Sequence, residues 1–377
     1  MLTCRPFFLI VLLFPLLAGA QPMPTPPALA ARTWLLVEAA SGQALAAQAI
    51  EERVEPASLT KIMTAYLTFA AIQQGKIKLN QTVLVSERAW RMPGSRMFIK
   101  VNTQVAVEDL IKGLIVQSGN DASVALAEAI AGSEDNFART MNQEAQRLGL
   151  KNTRFGNASG MPDPQHYTTA RDLATLTIAL IRDFPNEYAK YYSMKTFRYN
   201  NIAQPNRNRL LHLDPTVDGI KTGHTEAAGY CLIASSRRGD RRLLAIVLGA
   251  ASDSVRTQET LKLLNYGFQS YEAVRLYTKD QPVSNLRVWK GSSPTVKAGF
   301  QNDFVIAVPK GFAPRLKTEL LSRQPLMAPV AAGQFVGTLK VSLDDKPYAD
   351  FPAVAIETVS VAGIFGRMID TIRLWFN

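Results

Sequence analysis

Cysteine is almost missing from this chain, which carries only Cys4 and Cys231 in 377 residues. Cys4 lies in a stretch with the marks of a secretory leader, so the processed chain keeps one thiol, forms no intramolecular disulfide and must rest on its core. Histidine is nearly as scarce: three residues and no His-Glu-x-x-His pattern argue against zinc hydrolysis, and no cofactor-binding pattern is evident. Long apolar runs are also lacking, since residues 7–17 and 361–377 are both too short to span a bilayer comfortably. Clusters of basic residues are absent too. The formal net charge of +11 is scattered, which argues against nucleic acid and leaves anionic lipid headgroups or an acidic polymer as partners.

A hydrophobic content of 47% with 19% charged residues is that of a globular protein with a sizeable core. Residues 1–20 have Arg5, an apolar centre and Ala18-Gly19-Ala20 at the end, so a secretory signal is expected, with a mature chain from about Gln21 exported to the periplasmic face of the inner membrane. Cys4 precedes the apolar centre, the wrong place for a lipid-modified cysteine. Residues 21–30 are a proline-rich lead-in. Strand-like runs at 33–38 and 43–48 suggest a hairpin, and helical patterns follow at 58–74, 107–115, 121–131, 134–149 and 170–183. Strand-like segments return at 217–223, 230–236 and 241–248, then a helix to about 272. The pattern implies an α+β domain over 31–276, a sheet covered by helices. A linker at 277–282 leads to Val-rich runs punctuated by Gly and Pro, a small all-β domain over 283–359. Residues 361–377 place Val361, Ile364, Phe365, Met368, Ile369, Ile372, Trp375 and Phe376 at helical spacing. An amphipathic helix lying in the membrane surface is the functional reading, and a helix docked on the β domain the plain one.

The chain is organised around residues 55–69, where Ser58 and Lys61 open an apolar helical run. Residues i and i+3 share a helix face, so the Lys61 amine can lie beside the Ser58 hydroxyl. A serine becomes a useful nucleophile when a neighbouring base takes its proton, and burial lowers a lysine pKa enough for that role. Alternatively Ser58 is a helix cap and Lys61 a solvated first-turn residue.

Ser-x-x-Lys occurs once, at Ser58–Lys61; Ser-x-Asn once, at Ser118-Gly119-Asn120; and Lys-Thr-Gly once, at Lys221-Thr222-Gly223. They fall at a helix start, a turn between helices and a strand, in the order shared by penicillin-binding proteins and serine β-lactamases. The chain resembles more narrowly the D-alanyl-D-alanine carboxypeptidases, the low-molecular-mass penicillin-binding proteins, through nearly its whole mature length. The neighbourhoods NASGMPDPQHYTTARDLA and DGIKTGHTEAAGYCLIAS carry that likeness. The resemblance implies a β-lactamase/transpeptidase-like sheet, removal of the terminal D-alanine from peptidoglycan pentapeptide stems through an acyl-enzyme, and acylation by β-lactams.

In that scheme Ser58 attacks a carbonyl and Lys61 takes its proton. Ser118 relays a proton and Asn120 orients Lys61 or the substrate, unless both merely form a turn. Lys221 would depress the Lys61 pKa and attract a substrate carboxylate, Thr222 would hydrogen-bond the same group, and Gly223 would let a substrate backbone approach. The resemblance puts the oxyanion donors at the backbone N–H groups of Ser58 and His224. It also suggests Arg256 as a carboxylate anchor, the alternative being a surface arginine. Asp163 and His166 lie in a loop that could reach the cleft, and Cys231 reads as a packed core thiol. A β-lactamase is disfavoured because no Glu-x-x-Leu-Asn pattern occurs. A DD-endopeptidase would share the site but usually lacks the β domain and anchor, and intact motifs argue against a non-catalytic cell-wall binding protein.

Overall fold

The computed structural model describes residues 23–374. The leader, Trp375 and Phe376 lie outside them. The first domain is built on strands β1 (Thr33–Glu38), β2 (Gln43–Gln48), β3 (Val217–Thr225), β4 (Gly229–Arg238) and β5 (Arg241–Ala250). They form one antiparallel sheet in the order β2-β1-β5-β4-β3. Because side chains alternate along a strand, each central strand serves two cores. Leu35, Val37, Ile233, Leu244 and Ile246 join the core under one layer of helices, whereas Leu36, Leu232, Ala234, Leu243 and Val247 join the core on the other face.

The helices are α1 (Lys61–Gln73), α2 (Asn120–Ala131), α3 (Glu134–Arg147), α4 (Ala170–Asp183) and α5 (Asp253–Ser270). The first four supply the helical layer, and α5 covers the opposite face through Leu263 and Leu264. Helix α1 is buried almost all round, from Lys61 to Phe69. It runs through the middle of its layer rather than along the surface, which explains why its sequence shows no polar face. Gly75, at φ +72°, follows its end.

The expected helix at 121–131 starts differently. Asp121 does not cap it: Gly119 is the N-cap, and the Asp121 carboxylate accepts the backbone N–H groups of Met97, Phe98 and Ile99. A buried carboxylate has more to gain from several loop donors than from one helix end.

The β unit contains a six-stranded sheet in the order 316–322, 335–343, 346–355, 295–299, 282–289 and 326–327, and a separate two-stranded one. The chain crosses into it earlier than the expected 277–282 linker, because Tyr271–Tyr277 pairs with Phe304–Pro309. The two units are stitched together where the Gln43 side chain donates to the Ala307 carbonyl and accepts its N–H, both at 3.0 Å. A final helix, α6 (Ile364–Leu374), touches the β unit where Asp370 accepts the Lys290 N–H at 2.6 Å. Its apolar residues stay outside: Ile364, Phe365, Met368, Ile369 and Ile372 are exposed, Phe365 to 83%.

Candidate active site

Ser58 lies on a 3-10 turn, Ala57–Thr60, that runs directly into α1, rather than on the α-helix itself. The turn is tightly seated. Ala57 is held at φ +47°, and a Cβ on Gly160 would come within 1.8 Å of the Ala57 carbonyl oxygen, so only glycine fits there. A Cβ on Gly223 would meet Pro56, Ala57 and Leu59. Gly223 therefore lets the Ser58 turn approach β3 closely, with contacts of 3.1–3.3 Å to any Cβ placed there.

Lys61 is 1% exposed, which disposes of the solvated alternative. Its Nζ lies 2.9 Å from Ser58 Oγ, and it donates to Asn120 Oδ1 at 2.7 Å and to the Ser159 carbonyl at 2.6 Å. The Asn120 amide is turned by its other end, where Nδ2 donates to the Pro93 carbonyl at 2.6 Å, leaving Oδ1 for the lysine. Burial pulls the Lys61 amine down to about 7; Asp121 opposes that shift and Arg207 adds to it.

Across the cleft, Ser118 sits at φ +61° after the π-turn Gly113–Gln117, an unusual backbone for a residue other than glycine and of a kind that gathers at functional sites. Lys221 Nζ donates to Ser118 Oγ at 2.8 Å and to the Thr222 carbonyl at 3.1 Å. Burial holds the Lys221 amine well below its ordinary range, with Lys61, Arg207 and Arg256 contributing repulsion. The expected depression of Lys61 by Lys221 is corrected: dehydration dominates both amines, the repulsion that lowers Lys61 comes from Arg207, and it is Lys61 that helps to depress Lys221.

Ser58, Ser118, Asn120, Thr222, Gly223, His224 and Arg256 all border one cleft of about 540 Å³, and Lys61 and Lys221 reach its walls from behind. Arg256 is no surface arginine. It is 6% exposed, donates to the Gly223 and Cys231 carbonyls at 3.0 and 3.3 Å, and pairs with Asp253. The His224 ring lies 4.0 Å from that of Tyr230 at the rim.

Asp163 and His166 are not in the cleft wall. His166 braces the Ser58 turn from behind, its Nε2 3.0 Å from Thr60 Oγ1, and burial pushes the imidazole down to about 4. Cys231 is a core thiol, pushed up to about 11 by burial. Sequence reasoning missed Arg207, which lines the cleft, and the Ser159 carbonyl. Nothing local marks Arg207; the NASG run around Ser159 was visible, though only as part of a family likeness.

A serine and a buried lysine on one turn and helix, faced by a Ser-x-Asn turn and a Lys-Thr-Gly edge strand on a helix-covered antiparallel sheet, define a penicillin-recognising serine enzyme. Residues 20–252 match the D-alanyl-D-alanine carboxypeptidase family, and residues 271–361 match the C-terminal domain of penicillin-binding protein 5. The chain belongs to the D-alanyl-D-alanine carboxypeptidase family. It is 43% identical to D-alanyl-D-alanine carboxypeptidase DacC of Escherichia coli over 93% of this chain and 90% of that one. It superposes on penicillin-binding protein 5 of Haemophilus influenzae with a TM-score of 0.80 and 42% identity, covering 89% of this chain and 99% of the other. The ampicillin-bound penicillin-binding protein D2 of Listeria monocytogenes covers 64% of this chain and 98% of its own, at 30% identity and a TM-score of 0.59.

Proposed function

We propose that this protein removes the terminal D-alanine from peptidoglycan pentapeptide stems through an acyl-enzyme on Ser58, and that β-lactams acylate the same hydroxyl. The observation that carries this is the arrangement around Lys61. Asn120 Oδ1 and the Ser159 carbonyl can only accept, so a neutral amine spends its two N–H donors on them and turns its lone pair to Ser58. As Ser58 Oγ bonds to the carbonyl carbon of the penultimate D-alanine, its proton passes to Lys61 Nζ. The negative charge on the carbonyl oxygen falls to the backbone N–H groups of Ser58 and His224. The C–N bond then breaks and the leaving amine takes up the proton that Lys61 accepted, relayed through the Ser118 hydroxyl, which Lys221 holds in place, so that Lys61 is neutral again for deacylation. Water hydrolyses the ester and returns Ser58. β3 is the free edge of the sheet, so a stem peptide can extend along it as an added strand. Thr222 and Lys221 receive its carboxylate, and Arg256 acts by holding the Gly223 carbonyl in place.

Incubating the mature protein with a pentapeptide ending in D-Ala-D-Ala is expected to release D-alanine, and labelled penicillin to attach covalently. Absence of both would refute the proposal; penicillin hydrolysis without D-alanine release would favour a β-lactamase.

We further propose that the chain is exported, and that residues 361–377 lie in the plane of the membrane. The exposed row from Ile364 to Ile372 supports this. On cell fractionation the protein should sediment with membranes and begin near Gln21, and removing 361–377 should move it to the soluble fraction. Unchanged sedimentation after truncation refutes the anchor.

A further inference from the structure

One acceptor of the Lys61 amine is a main-chain carbonyl on a loop, and a loop carbonyl holds a 2.6 Å contact only if the loop is fixed. The fixing comes largely from a single side chain. Asn157 Oδ1 accepts the N–H groups of Ser159 at 3.2 Å, Gly160 at 2.7 Å and Met161 at 3.1 Å, and the Ser159 hydroxyl at 3.2 Å. Its Nδ2 returns a hydrogen bond to the Met161 carbonyl at 3.0 Å. Three consecutive residues, Ser159 to Met161, are thereby gathered around one amide, with the Ser159 carbonyl left pointing outward to the lysine. The outer face of the loop is pinned separately: Glu134 accepts the Ala158 N–H at 3.1 Å, and Thr64 Oγ1 donates to the Ala158 carbonyl at 2.6 Å.

We propose that Asn157 is a positioning residue for acylation, holding the Ser159 carbonyl against Lys61 so that the amine keeps its lone pair on Ser58. This rests on Lys61 being the base. The alternative is a turn former that contributes stability alone, and the two differ in what they do to titration. Charged and titratable groups face Lys61 from several elements: Asp121 on α2, Lys221 on β3, Arg207 from the segment before it, and His166 from the loop before α4. Residues 157–161 carry none. Replacing Asn157 by alanine removes no charge, so any change in the pH at which Lys61 loses its proton must come through the displaced carbonyl. With that acceptor gone the ammonium is less well satisfied and gives up its proton more readily.

The test is the rate of labelled-penicillin attachment to the full mature chain against pH, with thermal melting alongside. For Asn157→Ala the plateau rate should fall roughly ten-fold or more, and the acidic limb should move to lower pH. Asn157→Asp keeps the acceptor oxygens and adds negative charge near the amine, so its limb should move to higher pH, with a plateau between alanine and wild type. If the alanine variant keeps the wild-type limb, whatever its melting temperature, Asn157 is only structural and the proposal falls; an upward shift for alanine overturns it too. Should the alanine variant not fold, Asn157→Ser, likewise neutral and too short to gather the loop, decides by the same test: a downward shift of its limb supports the proposal, and an unchanged or upward limb overturns it. Failure of wild type to react with penicillin would instead sink the proposed function, before Asn157 enters.

Discussion

Ser58→Ala is expected to lower D-alanine release by roughly 10⁴-fold or more and to leave no penicillin on the protein, while the fold is unchanged. The reasoning is local. Among the described residues Ser58 Oγ is the one hydroxyl hydrogen-bonded to Lys61 Nζ, and Ser58 lines the cleft. Removing it leaves no atom to carry the acyl group. The side chain is only half-buried, and the turn is seated by Gly160, Gly223 and Thr60–His166 contacts that the change does not touch. The stability cost should therefore stay within about 1 kcal/mol. Mass spectrometry after exposure to penicillin reads the covalent adduct, and chromatography reads free D-alanine. An adduct of wild-type yield on the alanine variant would mean that another residue is the nucleophile.

Lys61→Arg should have the second-largest effect, slowing acylation by roughly 10² to 10⁴-fold. An arginine stays protonated and has no lone pair to take the Ser58 proton, although it keeps the positive charge. It must also fit a planar fork where one nitrogen now meets three partners. Wild type supplies the companion measurement. With the Lys61 amine held down to about 7, the reactive neutral form is scarce below that pH and dominant above it. The acylation rate should therefore climb as pH rises through about 7 and then level off, and the arginine variant should lack the climb. An arginine variant that acylates at the wild-type rate, or a wild-type rate flat across this range, would remove Lys61 as the base.

Much of this site is visible in the order of residues. The continuous apolar runs of β4 and β5 suit central strands covered on both sides. Ser58–Lys61, Ser118–Asn120 and Lys221–Gly223 are local patterns, each with a job that side-chain chemistry suggests. Other parts leave no such trace. The Ser159 acceptor is a backbone atom that every residue possesses. Arg207 is itself exposed and owes its influence to lying near two buried lysines from distant segments. Asp121 looked like a cap because a cap is what an acid at a helix start usually is, and only the fold brings residues 97–99 to it.

The sequence by itself determined the inventory: a nucleophile and a basic group three residues apart, two further motifs in a diagnostic order, a β unit and an amphipathic end. Covalent order is enough for that, because i and i+3 share a face in either kind of helical turn. Tertiary structure alone decided the protonation chemistry. Whether a lysine is a base depends on how much water reaches it and which acceptors surround it. Here both conditions come from segments about sixty and a hundred residues away, Asn120 and Ser159, folded onto the start of α1.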